Sequence, residues 1–353
     1  MKRIKRIGKK MRSLKASRFN KVAHPWGIAD VWNKSFEEVE KREVKKRDYL
    51  WATDMSRSLV DVYLSMKGVK PSNPPNARSM RKFEAGDVFE WIVKMLLIRA
   101  GLLKSVQLRT TYQYKDFLPM VARLDFVAGG KPDLREMQSS SDFLNIPPVF
   151  RRGVTKIITH INRQYKNGLP EMPFEVKSIS SFIADGMEKK NRSIKHHRTQ
   201  VLQQLLGSRY EKGMLIYICR DDLRMFEFCI EKNDKAIRKE HKNFISDISY
   251  HWKKEKQPEI EDPIVFDEDM GKFSKNFKVE YSQYLKKLYG FKEPRRYSEF
   301  VSPRVQKWNR VLGRVKNGDK MTDKNKEAIQ EMKDEGFNFK KIIKQFANGG
   351  TEE

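Results

Sequence analysis

The most periodic stretch of the chain runs from Ala77 to Gly101, where Phe83, Gly86, Phe89, Val93, Leu96, Leu97 and Ala100 recur at helical spacing and form one apolar stripe. The spacing predicts a helix, entered after the proline-rich break Pro71 to Pro75. Val106 to Tyr114 and Met120 to Ala128 then read as strands. A Gly-, Pro- and Ser-bearing insert from Gly129 to Pro173 follows, with a helix near Val154 to Tyr165. Phe174 to Lys177 alternates, Phe174 and Val176 on one side and Glu175 and Lys177 on the other. Ser178 and Ile179 break the alternation, so that strand either ends there or has both faces partly covered. A helix from about His196 to Arg209 leads to strands at Met214 to Cys219 and Met225 to Ile230. The order helix, strands, helix, strands predicts an α/β core with a mixed sheet flanked by helices. From Asn233 onward the pattern is helical and charged, interrupted by an acidic, proline-containing linker between Gln257 and Asp269. Met321 to Phe346 closes the pattern with two short helical runs on either side of Gly336.

Charge changes the picture. The chain has 353 residues and a formal net charge of +27, the electrostatic footprint of a protein that meets a polyanion, nucleic acid before all. From Met1 to Val22 there are ten basic residues and no acidic one, a phosphate-tracking arm or a solvated tail. No apolar run is long enough to span a membrane, the best candidate, Trp91 to Leu103, being broken by Lys94 and Arg99. The basic amino terminus lacks the apolar run of a signal peptide. Two cysteines, Cys219 and Cys229, exclude a disulfide framework or a four-cysteine metal site, and a reducing, cytoplasmic setting is expected. The expected organisation is a basic arm and lead-in over residues 1–50, a core over residues 51–232 with the insert 129–173, and a helical charged extension over residues 233–353.

Glu-x-Lys occurs five times, but only Glu175-Val-Lys177 lies on an alternating strand, which puts carboxylate and ammonium on one face about 7 Å apart. That pair suits metal-assisted hydrolysis, or else an exposed cross-strand charge pair. Asp125, flanked by Leu124, Phe126 and Val127, is unusual for a strand interior and supplies a second carboxylate; Asp133, after Gly129-Gly130, is its rival. Glu90 falls inside the helical stripe, where a carboxylate must pair with a base, take up a proton or face a cation. On the later helix His197, Gln200 and Gln204 share one polar face.

Together Gly86-Asp-Val-Phe-Glu90, Asp125, Glu175-Val-Lys177 and Gln200 resemble the PD-(D/E)xK nuclease superfamily, in particular its RecB-type and lambda-type phage exonuclease branch. The resemblance spans roughly Thr53 to Lys232 and implies a restriction-endonuclease-like core. It implies Glu90, Asp125 and Glu175 as ligands of Mg²⁺ or Mn²⁺, converging in space, with Lys177 the catalytic lysine and Gln200 lining the site. The implied activity is DNA phosphodiester hydrolysis, by an exonuclease of a bacterial or phage-infected cell. A structure-selective endonuclease or resolvase, or a non-catalytic DNA-binding protein on the same fold, are the alternatives.

Overall fold

The computed structural model describes residue 35 and residues 44–139, 147–267 and 271–348; the basic arm lies outside them. The chain divides into two units, Met1–Arg42 with Pro75–Lys82, and Glu43–Pro74 with Phe83–Glu353. The second unit is a mixed α/β structure with a five-stranded and a three-stranded sheet.

In chain order, strand β1 (Leu50–Trp51), a 3₁₀ turn (Ala52–Ser56) and helix α1 (Leu59–Met66) precede the long helix α2 (Ala77–Arg99). Ser58 starts α1 by accepting a hydrogen bond from the Asp61 N–H at 3.2 Å. Strands β2 (Leu103–Val106), β3 (Arg109–Tyr112), β4 (Met120–Arg123) and β5 (Phe126–Gly130) follow. Each of the two long strands expected from the sequence is therefore two, and the breaks coincide. β2 and β5 pair in the large sheet while β3 and β4 pair in the small one. The crossing point is held by Gln107 N–H to Asp125 O (3.1 Å) and Leu124 N–H to Leu108 O (2.9 Å). Gln107 turns the chain there with φ of 53°, a left-handed conformation costly for a residue with a Cβ. One antiparallel ribbon thus passes from one sheet into the other.

The insert holds helices α3 (Leu134–Ser139) and α4 (Pro148–Gln164). Gly129 and Gly130 do not form a turn; they end β5, Gly130 facing Leu169 across an irregularity in the ladder. Strand β6 (Leu169–Ile179) is the centre of the large sheet, antiparallel to β5 and parallel to β7 (Lys212–Cys219). A parallel partner requires a crossover, made by α5 (Ser181–Lys190) and α6 (Lys195–Leu206), and β8 (Met225–Glu231) closes the edge. The sheet order is β2-β5-β6-β7-β8. Ile179 is 3% exposed, so β6 continues past Lys177 because both of its faces are covered. One face packs with Val201, Leu202 and Leu205 of α6, the other with Val93 of α2 through Val176 and Ile216. α6 lies so close to β7 that a Cβ at Gly213 would sit 2.9 Å from Val201 Cγ1. Phe83 departs from the expected stripe: it is an exposed side chain at the start of the helical segment that Val93 and Ala100 bury.

Beyond α7 (Lys235–Lys253) the chain is not purely helical. The expected acidic linker runs into a hairpin of β9 (Ile264–Asp267) and β10 (Lys272–Lys275). Helices α8 (Phe277–Glu280), α9 (Leu285–Tyr289), α10 (Pro294–Lys316), α11 (Asp323–Asp334) and α12 (Phe339–Asn348) complete this part. Its core gathers Phe273, Tyr297, Trp308, Ala328 and Met332, all at most 1% exposed. Buried Asp61 of α1 ties it to the rest, accepting from Ser282 Oγ at 2.7 Å and Gln283 N–H at 3.2 Å.

Candidate active site

β5 leaves β6 at the pair Phe126 and Phe174, and among the described residues no strand pairs β6 on that side from Glu175 to Ile179. The freed backbone is not wasted: the Val176 N–H donates to Asp125 Oδ2 at 2.9 Å. Asp125 therefore sits in the fork where β4 and β5 diverge, its side chain replacing the ladder bond that the bend removed. Asp133, the rival carboxylate, lies elsewhere, accepting from the Arg135 N–H at 2.8 Å to start α3.

Glu175 and Lys177 project from the face of β6 that α6 covers. Glu175 is 1% exposed, far from the exposed charge pair that alternation equally allowed. One carboxylate oxygen accepts from Lys177 Nζ and from Gln200 Nε2 (2.6 Å), the other from Gln204 Nε2 (2.5 Å). Gln200 and Gln204 reach it together because residues four apart share a helical face. Glu90 joins from α2 by way of Gln107, whose Nε2 donates to Glu90 Oε1 at 3.2 Å while its N–H holds the Asp125 carbonyl. On α2, Gly86 packs toward Ser178 of the same strand; a Cβ there would lie 3.8 Å from Ser178 Oγ.

The charges feel one another. Burial raises the Asp125 carboxyl well above its ordinary range, and Glu175 and Glu90 add to the rise against the pull of Lys177. Glu90 is raised by burial, then by Glu175 and Asp87. For Lys177 burial opposes the charge, yet Glu175, Asp125 and Glu90 together raise its ammonium above the ordinary value. Three carboxylates thus face one ammonium, an excess of two negative charges in a partly water-excluded place.

That excess and an all-oxygen donor set fit a hard divalent cation. Gln204 Oε1 is buried beside Glu175 with no hydrogen-bond partner, a further oxygen without a donor. Among the described residues no three His, Cys, Asp or Glu side chains stand as a preassembled metal cluster. Glu175 here gives its oxygens to Lys177, Gln200 and Gln204, and Asp125 gives one to the backbone.

α6 is anchored by groups that, His197 apart, the sequence pattern did not single out. Tyr114 O–H donates to His241 Nδ1 (3.2 Å), His241 Nε2–H to Gln203 Oε1 (2.7 Å), and Gln203 Nε2 to the Met120 carbonyl (2.7 Å). At the helix start the Tyr217 hydroxyl accepts from the Ile194 N–H at 3.1 Å and donates to His197 Nδ1 at 3.0 Å, while His196 stacks on Phe277 with centroids 5.7 Å apart. Gln204 and His197 carried a signal, their spacing from Gln200, though His197 meets Tyr217 rather than Glu175; Gln107 and His241 act through non-local bonds with no local pattern.

Burial lowers His241 to about 4 from an ordinary 6.5, with Arg238 adding to the effect. Between those values the unfolded imidazole binds a proton that the folded one refuses, so stability falls as the pH drops from about 6.5 toward 4. His241→Asn should flatten that slope by up to about 1.4 kcal/mol per pH unit. Urea denaturation of both proteins between pH 4.5 and 7.5 measures it, and equal slopes would show that His241 carries none of the dependence.

No family model and no curated protein matches this chain. Among solved structures it is similar to the crystal structure of SSO0001, with 16% identity, a TM-score of 0.37, and coverage of 62% of this chain and 85% of that one. It is also similar to an alkaline exonuclease from Laribacter hongkongensis, with 12% identity, a TM-score of 0.35, and coverage of 62% and 97%. Similarity this slight carries no argument about activity, which must rest on the chain's own residues.

Proposed function

We propose that this protein is a metal-dependent nuclease of the PD-(D/E)xK type that hydrolyses DNA phosphodiester bonds, with a preference for ends. The observation that carries the reading is the buried Glu175, bonded by Lys177, Gln200 and Gln204 in the fork marked by Asp125. An isolated carboxylate at 1% exposure is expensive, and a buried Glu175–Lys177 pair that also feels the charges of Asp125 and Glu90 is the arrangement of a functional centre rather than of a core. The net charge of +27 supplies the attraction for a phosphate chain, and among the described residues no helix is long and apolar enough to cross a membrane.

Asp125, Glu175 and Glu90 would hold Mg²⁺ or Mn²⁺, which when bound polarises a phosphate oxygen and lowers the pKa of coordinated water. Lys177, kept protonated by its three acidic neighbours, would orient the attacking water and offset charge developing on the phosphate oxygens. Gln200 and Gln204 hold the Glu175 carboxylate in one rotamer, and Gln107 does the same for Glu90.

The test is incubation with end-labelled linear duplex and with covalently closed plasmid, in Mg²⁺, in Mn²⁺ and in EDTA. Loss of label from the linear duplex alone, only with metal, is the expected result. Nicking of the closed circle would replace the exonuclease by an endonuclease. Binding without cleavage under every condition would overturn the enzymatic reading and leave a DNA-binding protein.

A further inference from the structure

Helix α4, in the insert, has a buried apolar face and an exposed basic one. Val154, Ile158 and Ile161 are buried against Ala100, Leu102 and Met137. On the opposite side, at 100° per residue, Arg152, Arg163 and Lys156 fall within about 40° of arc, all three are exposed, and exposed Lys166 follows two residues beyond the helix end. From Phe143 to Pro170 the chain contains no Asp or Glu.

A charged helical face is ordinarily just a solvated face, but this one lies in a stretch without a single carboxylate. Several exposed cations elsewhere are answered by carboxylates: Lys195 by Glu240, Arg209 by Glu171, Lys212 by Glu231 and Arg295 by Glu299. Neither these three cations of α4 nor Lys166 beyond it has an ion pair among the described residues. Arg152 and Lys156 stand four apart on the helix, a spacing at which like charges cost about 0.2–0.5 kcal/mol. From Arg152 to Arg163 the stripe spans about 16 Å, the rise of about five base pairs of duplex.

We propose that the outer face of α4 is a contact surface for the phosphate backbone of duplex DNA, separate from the cleavage centre. The inference rests on the nucleic-acid reading above and extends it to a second place on the molecule. α4 packs on Leu96, Leu97 and Ala100 at the end of α2, and Glu90 lies on α2 about 9 Å along the axis before Leu96. The stripe and the centre are thus mounted on one helix, so that a duplex held by α4 is held at a fixed distance from the fork. A membrane is a poor alternative occupant, because Val154, Ile158 and Ile161, the centre of the apolar face such a helix would insert, are already buried in the protein and leave, among its described large apolar side chains, only Phe150 and Ile157 exposed.

Binding of a fluorescein-labelled blunt 24-base-pair duplex, read by anisotropy in EDTA across a salt titration, tests this without any contribution from cleavage. Arg152→Gln, Lys156→Gln, Arg163→Gln and Lys166→Gln combined should reduce the slope of log K against log salt by about 2 to 4 and weaken binding at least about tenfold at 0.1 M salt. The pair K156Q/R163Q, less demanding on folding, should give about half the slope change. A control with Lys239, Lys242, Lys286 and Lys287 changed to Gln removes the same charge from other exposed positions. Equal loss in control and stripe variant, or no loss in either stripe variant, overturns the proposal while leaving the nuclease reading standing. If the wild-type chain binds phosphatidylserine vesicles and not the duplex, the proposal fails together with the nucleic-acid reading.

Discussion

Lys177→Ala should slow single-turnover cleavage of a labelled duplex by ~10²–10⁴, the range of a positioned proton-transfer or charge-stabilising group, with DNA affinity nearly unchanged. The lysine sits on the Glu175 carboxylate and is raised by Glu175, Asp125 and Glu90, so at neutral pH it is a fixed cation whose task is to meet charge that grows in the transition state. Removing it takes away an interaction made there rather than in the ground state, which lowers kcat and kcat/KM alike. Glu175→Gln should fail differently. It keeps the shape but removes a charge from the three-carboxylate set, so part of its defect should be recovered at higher Mg²⁺ or in Mn²⁺, while the Lys177→Ala defect should not move with metal. A metal titration of both variants reads the contrast. Wild-type rates in both would end the nuclease assignment.

Trp308→Ala should cost ~3–5 kcal/mol of folding stability, the usual loss when a large buried aromatic is truncated, out of a total of about 5–15 kcal/mol for an ordinary protein. Trp308 on α10 is fully buried between the rings of Phe273 and Phe337, with centroids 5.0 and 5.5 Å away. Its indole N–H donates to Glu331 Oε2 at 3.2 Å and the Arg304 guanidinium lies 5.1 Å over the ring. These partners come from β10, α10, α11 and the turn before α12, so one side chain joins the whole carboxy-terminal part. Trp308→Phe keeps much of the buried area but strands Glu331 without its indole donor, and should cost less. Urea denaturation followed by far-UV circular dichroism measures both; a loss below about 1 kcal/mol for Trp308→Ala would show that this core does not pack around Trp308.

What the sequence determined by itself is what short-range geometry controls. Period-two alternation places Glu175 and Lys177 on one face of β6, and helical phase places Gln200 beside Gln204, whatever the rest of the chain does. The helix, strand, helix, strand order and the two helices flanking Gly336 were legible for the same reason. Tertiary structure decided the rest. Burial of Glu175, as against an exposed charge pair, depends on α6 arriving from the crossover between β6 and β7. The bends at Gln107 and Asp125, which turned two expected strands into four, come from pairing each half with a different sheet, and no local pattern records a partner chosen 51 residues away. The β9 and β10 hairpin hid in an acidic, proline-containing stretch because its strands are held by Phe273 packing on Trp308 rather than by propensity. Glu90 was visible as a misplaced carboxylate on a helix, but only the fold sets Gln107, Asp125 and Glu175 around it, since their meeting depends on non-local strand pairing.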